Sequence, residues 1–92
     1  MNKFEGQIVV VTGAGRGIGR GIALAFAQQG ADVVCISRTQ ANSDKVAAEI
    51  HELGRKAWAY ALDVGDTAAV DETCASILKE AGKVDVLVNN AG

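Results

Sequence analysis

Proline is absent from this sequence, cysteine occurs twice, and the aromatic residues are one Trp, one Tyr and two Phe. Two cysteines, Cys35 and Cys74, are too few for a disulfide framework and have no metal-ligand spacing, so neither a disulfide-stapled secreted domain nor a metal site is expected. A reducing cytoplasm is the expected setting. Charge of one sign is also lacking: nine Lys and Arg stand against eleven Asp and Glu, for a net charge of −2, which argues against a nucleic-acid binder. No apolar run approaches the ~20 residues of a membrane span. The opening Met1-Asn2-Lys3-Phe4-Glu5-Gly6 lacks the basic-then-apolar pattern of a secretory signal. What remains is 92 residues, 49% hydrophobic, enough for one small domain with a modest core. Of its 11 glycines, several crowd into the stretch from Gly13 to Gly21.

The apolar residues alternate between two periods. Gln7-Ile8-Val9-Val10-Val11-Thr12 is a continuous β-branched run of the kind that forms a strand buried on both faces, as in a parallel sheet. Ile18, Ile22, Ala25 and Phe26 then recur at helical spacing until Gly30, a natural stop. Val33 to Ile36 reads as a second strand, and Val46, Ala47, Ile50 and Leu53 mark one face of a second helix that ends at Gly54. Ala57 to Leu62 reads as a third strand, on which Trp58 and Tyr60 alternate as packing residues. Val70, Cys74, Ile77, Leu78 and Ala81 line a third helix, capped by Asp66 or Thr67 and stopped by Gly82. Both thiols therefore sit on apolar positions, where burial is expected. Val84 to Val88 is a fourth strand. The order βαβαβαβ with short turns predicts an α/β fold, the N-terminal half of a doubly wound, Rossmann-type parallel sheet. Its expected strand order is 3-2-1-4, and its ligand crevice lies above the first strand, where the order reverses.

The glycine cluster lies at that point. It reads Thr12-Gly13-Ala14-Gly15-Arg16-Gly17-Ile18-Gly19, directly between strand and helix. A glycine after the strand permits a tight turn, and glycines at the helix start let a pyrophosphate approach bare N–H groups at the positive end of the helix dipole. No Gly-Lys-Ser/Thr follows, so it is not a nucleoside-triphosphatase loop, and the strict G-x-G-x-x-G register also fails; the pattern present is T-G-x-x-x-G-x-G. A plain connecting turn needs only one or two glycines, which favours a dinucleotide cradle.

This loop, Asp63-Val64 at the end of the third strand, and Asn89-Asn90-Ala91-Gly92 after a Val-rich strand resemble, at matching intervals, the classical short-chain dehydrogenase/reductase family. The resemblance runs from Phe4 to Gly92. Phe4-Glu-Gly and Val84-Asp-Val-Leu-Val look most like the wording of β-ketoacyl-acyl-carrier-protein reductases, which would place the protein in fatty acid biosynthesis. The resemblance implies a cofactor site made of Gly13, Gly15, Arg16, Gly17, Ile18 and Gly19, of Ser37 and Arg38, of Asp63 and Val64, and of Asn90, Ala91 and Gly92. In it the Asp63 carboxylate accepts a hydrogen bond from the adenine amino group, Asn89 joins neighbouring strands, and the backbone from Asn90 to Gly92 lies beside the ribose.

Charge argues the choice of cofactor. An NAD-specific site carries Asp or Glu at the end of the second strand to hold the ribose 2′-hydroxyl. Here Ser37-Arg38 stands at that end, and the only nearby acid, Asp32, precedes the strand. Arg38, with Arg16 placed by resemblance on the other side, suits a 2′-phosphate, so NADP(H) is expected rather than NAD.

The family's catalytic Tyr-x-x-x-Lys and Ser have no counterpart in the chain. Tyr60 is its only tyrosine, and Val64 stands where the lysine would be. Residues 1–92 are therefore expected to be a partial cofactor-binding domain, roughly a third of the family's usual length, without catalytic or metal-binding residues. The implied parent activity is NADP(H)-dependent carbonyl reduction, such as 3-oxoacyl-acyl-carrier-protein to 3-hydroxyacyl, by a homo-oligomer that binds neither nucleic acid nor membrane. The alternatives are a stand-alone ADP- or dinucleotide-binding module and a piece that does not fold alone. The strand from Val84 to Val88 is apolar apart from Asp85, and a chain of these residues alone is expected to self-associate through it.

Overall fold

A computed structural model describes residues 3–63 and 65–90. The chain runs β1 (Ile8–Thr12), α1 (Gly17–Gln28), β2 (Asp32–Ser37), α2 (Gln40–Glu52), β3 (Ala57–Ala61), α3 (Thr67–Ala81), β4 (Val86–Asn89). All pairings are parallel and the strand order is β3-β2-β1-β4, as the alternation of periods predicts. The register sets Val9 opposite both Val33 and Val86. Every residue of β1 is buried, which suits its unbroken β-branched run.

The helices divide between the faces. Val9, Val11, Val33 and Cys35 pack with Ala23, Ala27, Val46 and Ile50, beneath α1 and α2. Ile8, Val10, Val34 and Ile36 pack on the other face with Leu62 and Ile77, beneath α3. Arg20 of α1 pairs with Glu49 of α2 through Nε, at 2.9 Å, and through Nη2, and this contact raises the Arg20 pKa and lowers that of Glu49.

Several positions differ from the periodicity. The buried stripe of α1 is Gly19, Ala23 and Ala27, while Ala25 is exposed and Ile18 is 77% exposed. Small residues at i+4 spacing let the helix close on the sheet, so the bulkier side chains sit to either side. On α2 the stripe begins one turn earlier, at Ser43, and Leu53 is exposed past the helix end. On α3 only Ile77 is buried; Cys74 and Leu78 are exposed, contrary to the expected burial of both thiols, because no element lies over their side of the helix among the described residues. Asp66, not Thr67, is the N-cap, accepting from Ala69 N–H, and Gly82 ends the helix at φ +88°.

The fourth strand begins at Val86 rather than Val84. Asp85 N–H donates to the Ile8 carbonyl and Ile8 N–H donates to the Asp85 carboxylate at 2.8 Å, so the side chain takes the place of the first ladder bond.

Candidate functional site: the cleft above β1

The carboxyl ends of the strands converge on a cleft of about 770 Å³. Gly13, Gly15 and Arg16 form one wall, Ser37, Arg38, Thr39 and Asn42 the second, and Leu62, Asp63 and Gly65 the third. This is the switch point of the sheet, where β1 is flanked by β2 on one side and β4 on the other. Three segments far apart in the chain are thereby joined: the glycine loop, Ser37-Arg38, and Asp63.

The loop has the geometry of a cradle. Gly17 has φ +60°, and the space where a side chain would stand there is open. Gly19 is needed for the opposite reason: a Cβ would meet the Gly13 carbonyl oxygen at 1.8 Å, which would part the helix start from the strand end. At Gly15 a Cβ would lie 2.7 Å from Asn42 Cβ and 3.0 Å from Ser37 Cβ. Ala14 N–H donates to the Ile36 carbonyl and ties the loop to β2. Beside it, Thr12 Oγ1 donates at 3.1 Å to Asn89 Oδ1 and accepts from Asn90 N–H at 2.9 Å, which holds the ends of β1 and β4 together. Asn89 thus has the strand-joining contact expected of it.

Asp63 is exposed and lines the cleft, with Oδ1 accepting from Gly65 N–H at 2.9 Å. Gly17, Ile18, Gly19 and Asn90 adjoin the cleft without lining it. Val64, Ala91 and Gly92 lie outside the described residues. Thr39, Asn42, Leu62 and Gly65 line the cleft without having been expected there. The signal for Asn42 was its place in the first turn of the helix that follows β2, the turn that faces the glycine loop.

Asp32, the nearby acid, is at the far end of β2, where its carboxylate accepts from Lys56 N–H at 2.9 Å. A second cavity, of about 750 Å³, opens at that end between Asp32, His51, Arg55, Lys56 and Trp58. Two of its polar groups are engaged by the protein itself: besides the Asp32 contact, Arg55 donates to the Gly30 carbonyl at 2.9 Å. Tyr60 is not near either use. Its hydroxyl is buried with no partner at hydrogen-bonding distance among the described residues, and burial, then the Glu80 carboxylate, push its pKa up to about 12. No group of metal-ligating side chains occurs among the described residues, and no helix there is long and apolar enough to cross a membrane.

Comparison with known proteins agrees with this architecture. The model of the short chain dehydrogenase family matches residues 7–92. The chain is 42% identical over 89 residues to 2,3-dihydro-2,3-dihydroxybenzoate dehydrogenase of Bacillus subtilis, covering 97% of this chain and 34% of that protein. It is 38% identical over 90 residues to a 3-oxoacyl-[acyl-carrier-protein] reductase of Thermotoga maritima, covering 98% and 37%. Among solved structures, an NAD⁺-bound xylitol dehydrogenase superimposes with a TM-score of 0.94 at 38% identity, covering 98% of this chain and 35% of that one. The chain belongs to the short-chain dehydrogenase family. It spans about a third of the length of the relatives it matches.

Proposed function

We propose that these residues are the cofactor-binding part of an NADP(H)-dependent oxidoreductase that reduces a carbonyl, with 3-oxoacyl-acyl-carrier-protein as the substrate class favoured by its sequence wording. The single observation that carries the cofactor assignment is the meeting of Arg16 and Arg38 on one cleft, beside Ser37, with the acid of β2, Asp32, at the opposite end of that strand. Guanidinium groups make strong, directional bonds to phosphate, and the wall formed by Ser37, Arg38, Thr39 and Asn42 carries no carboxylate to repel one. The xylitol dehydrogenase that superimposes so closely holds NAD⁺, so the shared fold does not decide between the two cofactors, and the reading rests on the residues around the 2′ position.

The residues present fit such a group. The open, left-handed backbone at Gly17 leaves room for a pyrophosphate at the start of α1, Arg16 and Arg38 would take the 2′-phosphate, and Asp63 would hold the adenine edge. When bound, the cofactor supplies the hydride. The protein's share among these residues is to bind and orient; Tyr60, half-buried and outside the cleft lining, is no candidate for proton transfer there. Proton transfer in the whole enzyme would fall to the family's Ser and Tyr-x-x-x-Lys, which have no counterpart in residues 1–92. The two free thiols suit a cytoplasmic setting.

Calorimetric titration with adenosine 2′,5′-bisphosphate and with 5′-AMP, which differ only in the 2′-phosphate, tests the reading. Charge-assisted bonds of about 1.5 to 3 kcal/mol each, reduced by salt, predict a preference of about tenfold or more for the bisphosphate at low ionic strength. Arg38→Asp should reverse it. Equal affinities in the parent protein would remove the NADP assignment.

A further inference from the structure

The second wall of the cleft rests on a residue that does not line it. Ser43 stands on the buried stripe of α2 with Val46, Ala47 and Ile50, at a position where packing alone favours an apolar side chain, and it has no exposed surface. Its hydroxyl lies 2.6 Å from Ser37 Oγ and 2.9 Å from the Tyr60 carbonyl oxygen. Ser37 Oγ in turn lies 2.7 Å from the Thr39 carbonyl oxygen. Burying a hydroxyl is costly unless it is hydrogen-bonded, and this one is bonded to two different strands.

The protons in this cluster are fewer than its contacts. Each serine hydroxyl has one proton to donate and two lone pairs. Three short O···O contacts therefore share two protons, and one contact always goes without. The carbonyls of Tyr60 and Thr39 can only accept, so Ser43 holds the Ser37 oxygen from behind, and Ser37 keeps its own proton for either the Thr39 carbonyl or an acceptor in the cleft. Without Ser43 that hold on the Ser37 oxygen is lost.

We infer that Ser43 is a positioning residue for cofactor discrimination, acting through Ser37: its hydroxyl fixes the Ser37 oxygen at the cleft wall, from where Ser37 donates its own proton to a 2′-phosphate, and it anchors the first turn of α2, with Asn42, against the glycine loop. The inference rests on the assignment of the cleft to a 2′-phosphorylated dinucleotide. It adds to the two arginines a neutral donor whose position is set from behind the cleft.

The test is a mutant cycle read as the ratio of affinities for adenosine 2′,5′-bisphosphate and 5′-AMP. Ser43→Ala should lower the ratio about three- to tenfold, the range of one hydrogen bond to a charged group, with 5′-AMP affinity changed less than about twofold. Ser43→Cys, close in size but a weak donor, should do the same and separates the lost hydrogen bond from a lost volume. In a Ser37→Ala background, Ser43→Ala should leave the ratio where Ser37→Ala alone puts it, since the two act in series. A purely structural role would weaken both ligands alike in both backgrounds, and that result overturns the inference. So does an unchanged ratio in Ser43→Ala when the parent prefers the bisphosphate, an outcome that leaves the NADP assignment standing. A parent protein without preference removes that assignment and this inference together.

Discussion

On one face of the sheet Val9, Val11, Val33 and Cys35 are sealed beneath α1 and α2 with no exposed surface, whereas the residues of the other face, Ile8, Val10, Val34 and Ile36, lie beneath α3 alone. The strands contribute similar side chains to both. The difference comes from the helices. On α1, Gly19, Ala23 and Ala27 allow close approach to the sheet, and α2 adds Val46 and Ile50 beside it, so the two helices close over the strands together. On the second face α3 buries Ile77 but leaves Leu78 54% exposed, and Leu87 of β4 is 65% exposed. An apolar groove of about 550 Å³ runs between them, lined by Val10, Val70, Ile77 and Leu87 among others. An amphipathic stripe is buried only as far as a second surface meets it.

The largest difference should appear when each face loses one isoleucine. Ile50→Ala empties a position with no exposed surface under two helices, and a loss of roughly 2 to 5 kcal/mol is expected. Ile77→Ala opens onto the groove, where neighbours and water can enter the space, so its cost should lie near or below the low end of that range. Denaturant midpoints with unchanged slopes measure both. Equal losses would mean that α3 covers its face as fully as α1 and α2 cover theirs.

The thiols make the same comparison by chemistry. Cys35 is buried on the two-helix face, and burial pushes its pKa up to about 12, while Cys74 is exposed beside the groove. Native alkylation at pH 8 should modify Cys74 promptly and Cys35 about a hundredfold more slowly, which corresponds to an opening free energy of about 2.8 kcal/mol. Peptide mapping by mass spectrometry gives both rates. Because the folded thiol of Cys35 has the higher pKa, its contribution to stability is complete below the unfolded thiol pKa and declines as pH rises from about 9 toward 12. Comparable rates at the two sites would show that the two-helix face opens readily.

These differences explain what can be read from the sequence and what cannot. Strand β1 is legible because five adjacent β-branched residues have no other economical use, and the short turns fix the parallel order around it. The glycine loop is legible for the same local reason, since its spacing alone needs bare backbone. Ile18 and Ala25 fit a helical period yet face outward, because periodicity finds a stripe without saying which side the sheet takes; the small residues at 19, 23 and 27 decide that. Cys74 fits its stripe as well, but burial depends on cover that the period does not encode. Asn42 and Ser43 escape notice because their roles exist only once α2 has folded back against the glycine loop and β3. Arg16, Ser37, Arg38 and Asp63 were legible through family resemblance, and the fold brings them to one cleft.

The smallest expected effect lies at the seam between the faces, where β4 begins. Asp85 accepts from Ile8 N–H and pairs with Lys83 Nζ at 3.0 Å, and these contacts, the backbone bond first, hold its carboxyl below the usual carboxylate range. Its neighbours divide between the faces: Val86 and Val88 pack toward the two-helix core, and Leu87 points to the groove side. A clamp here therefore steadies both faces through one strand. Since the folded pKa is depressed, the contribution is present above the unfolded carboxyl pKa, near 4, and is lost as pH falls through the folded value. Asp85→Asn keeps an oxygen for Ile8 N–H but gives up the charge. The parent should be the more stable of the two from pH 5 to 7, by a small margin because the pair is solvent-screened, and the gap between their denaturant midpoints should narrow below pH 4. The acid sensitivity from Glu49, whose pKa Arg20 also lowers, is common to both proteins and cancels in the difference. A gap that stays constant from pH 7 to pH 3 would show that the Asp85 carboxylate holds β4 by shape alone, with no part played by its charge.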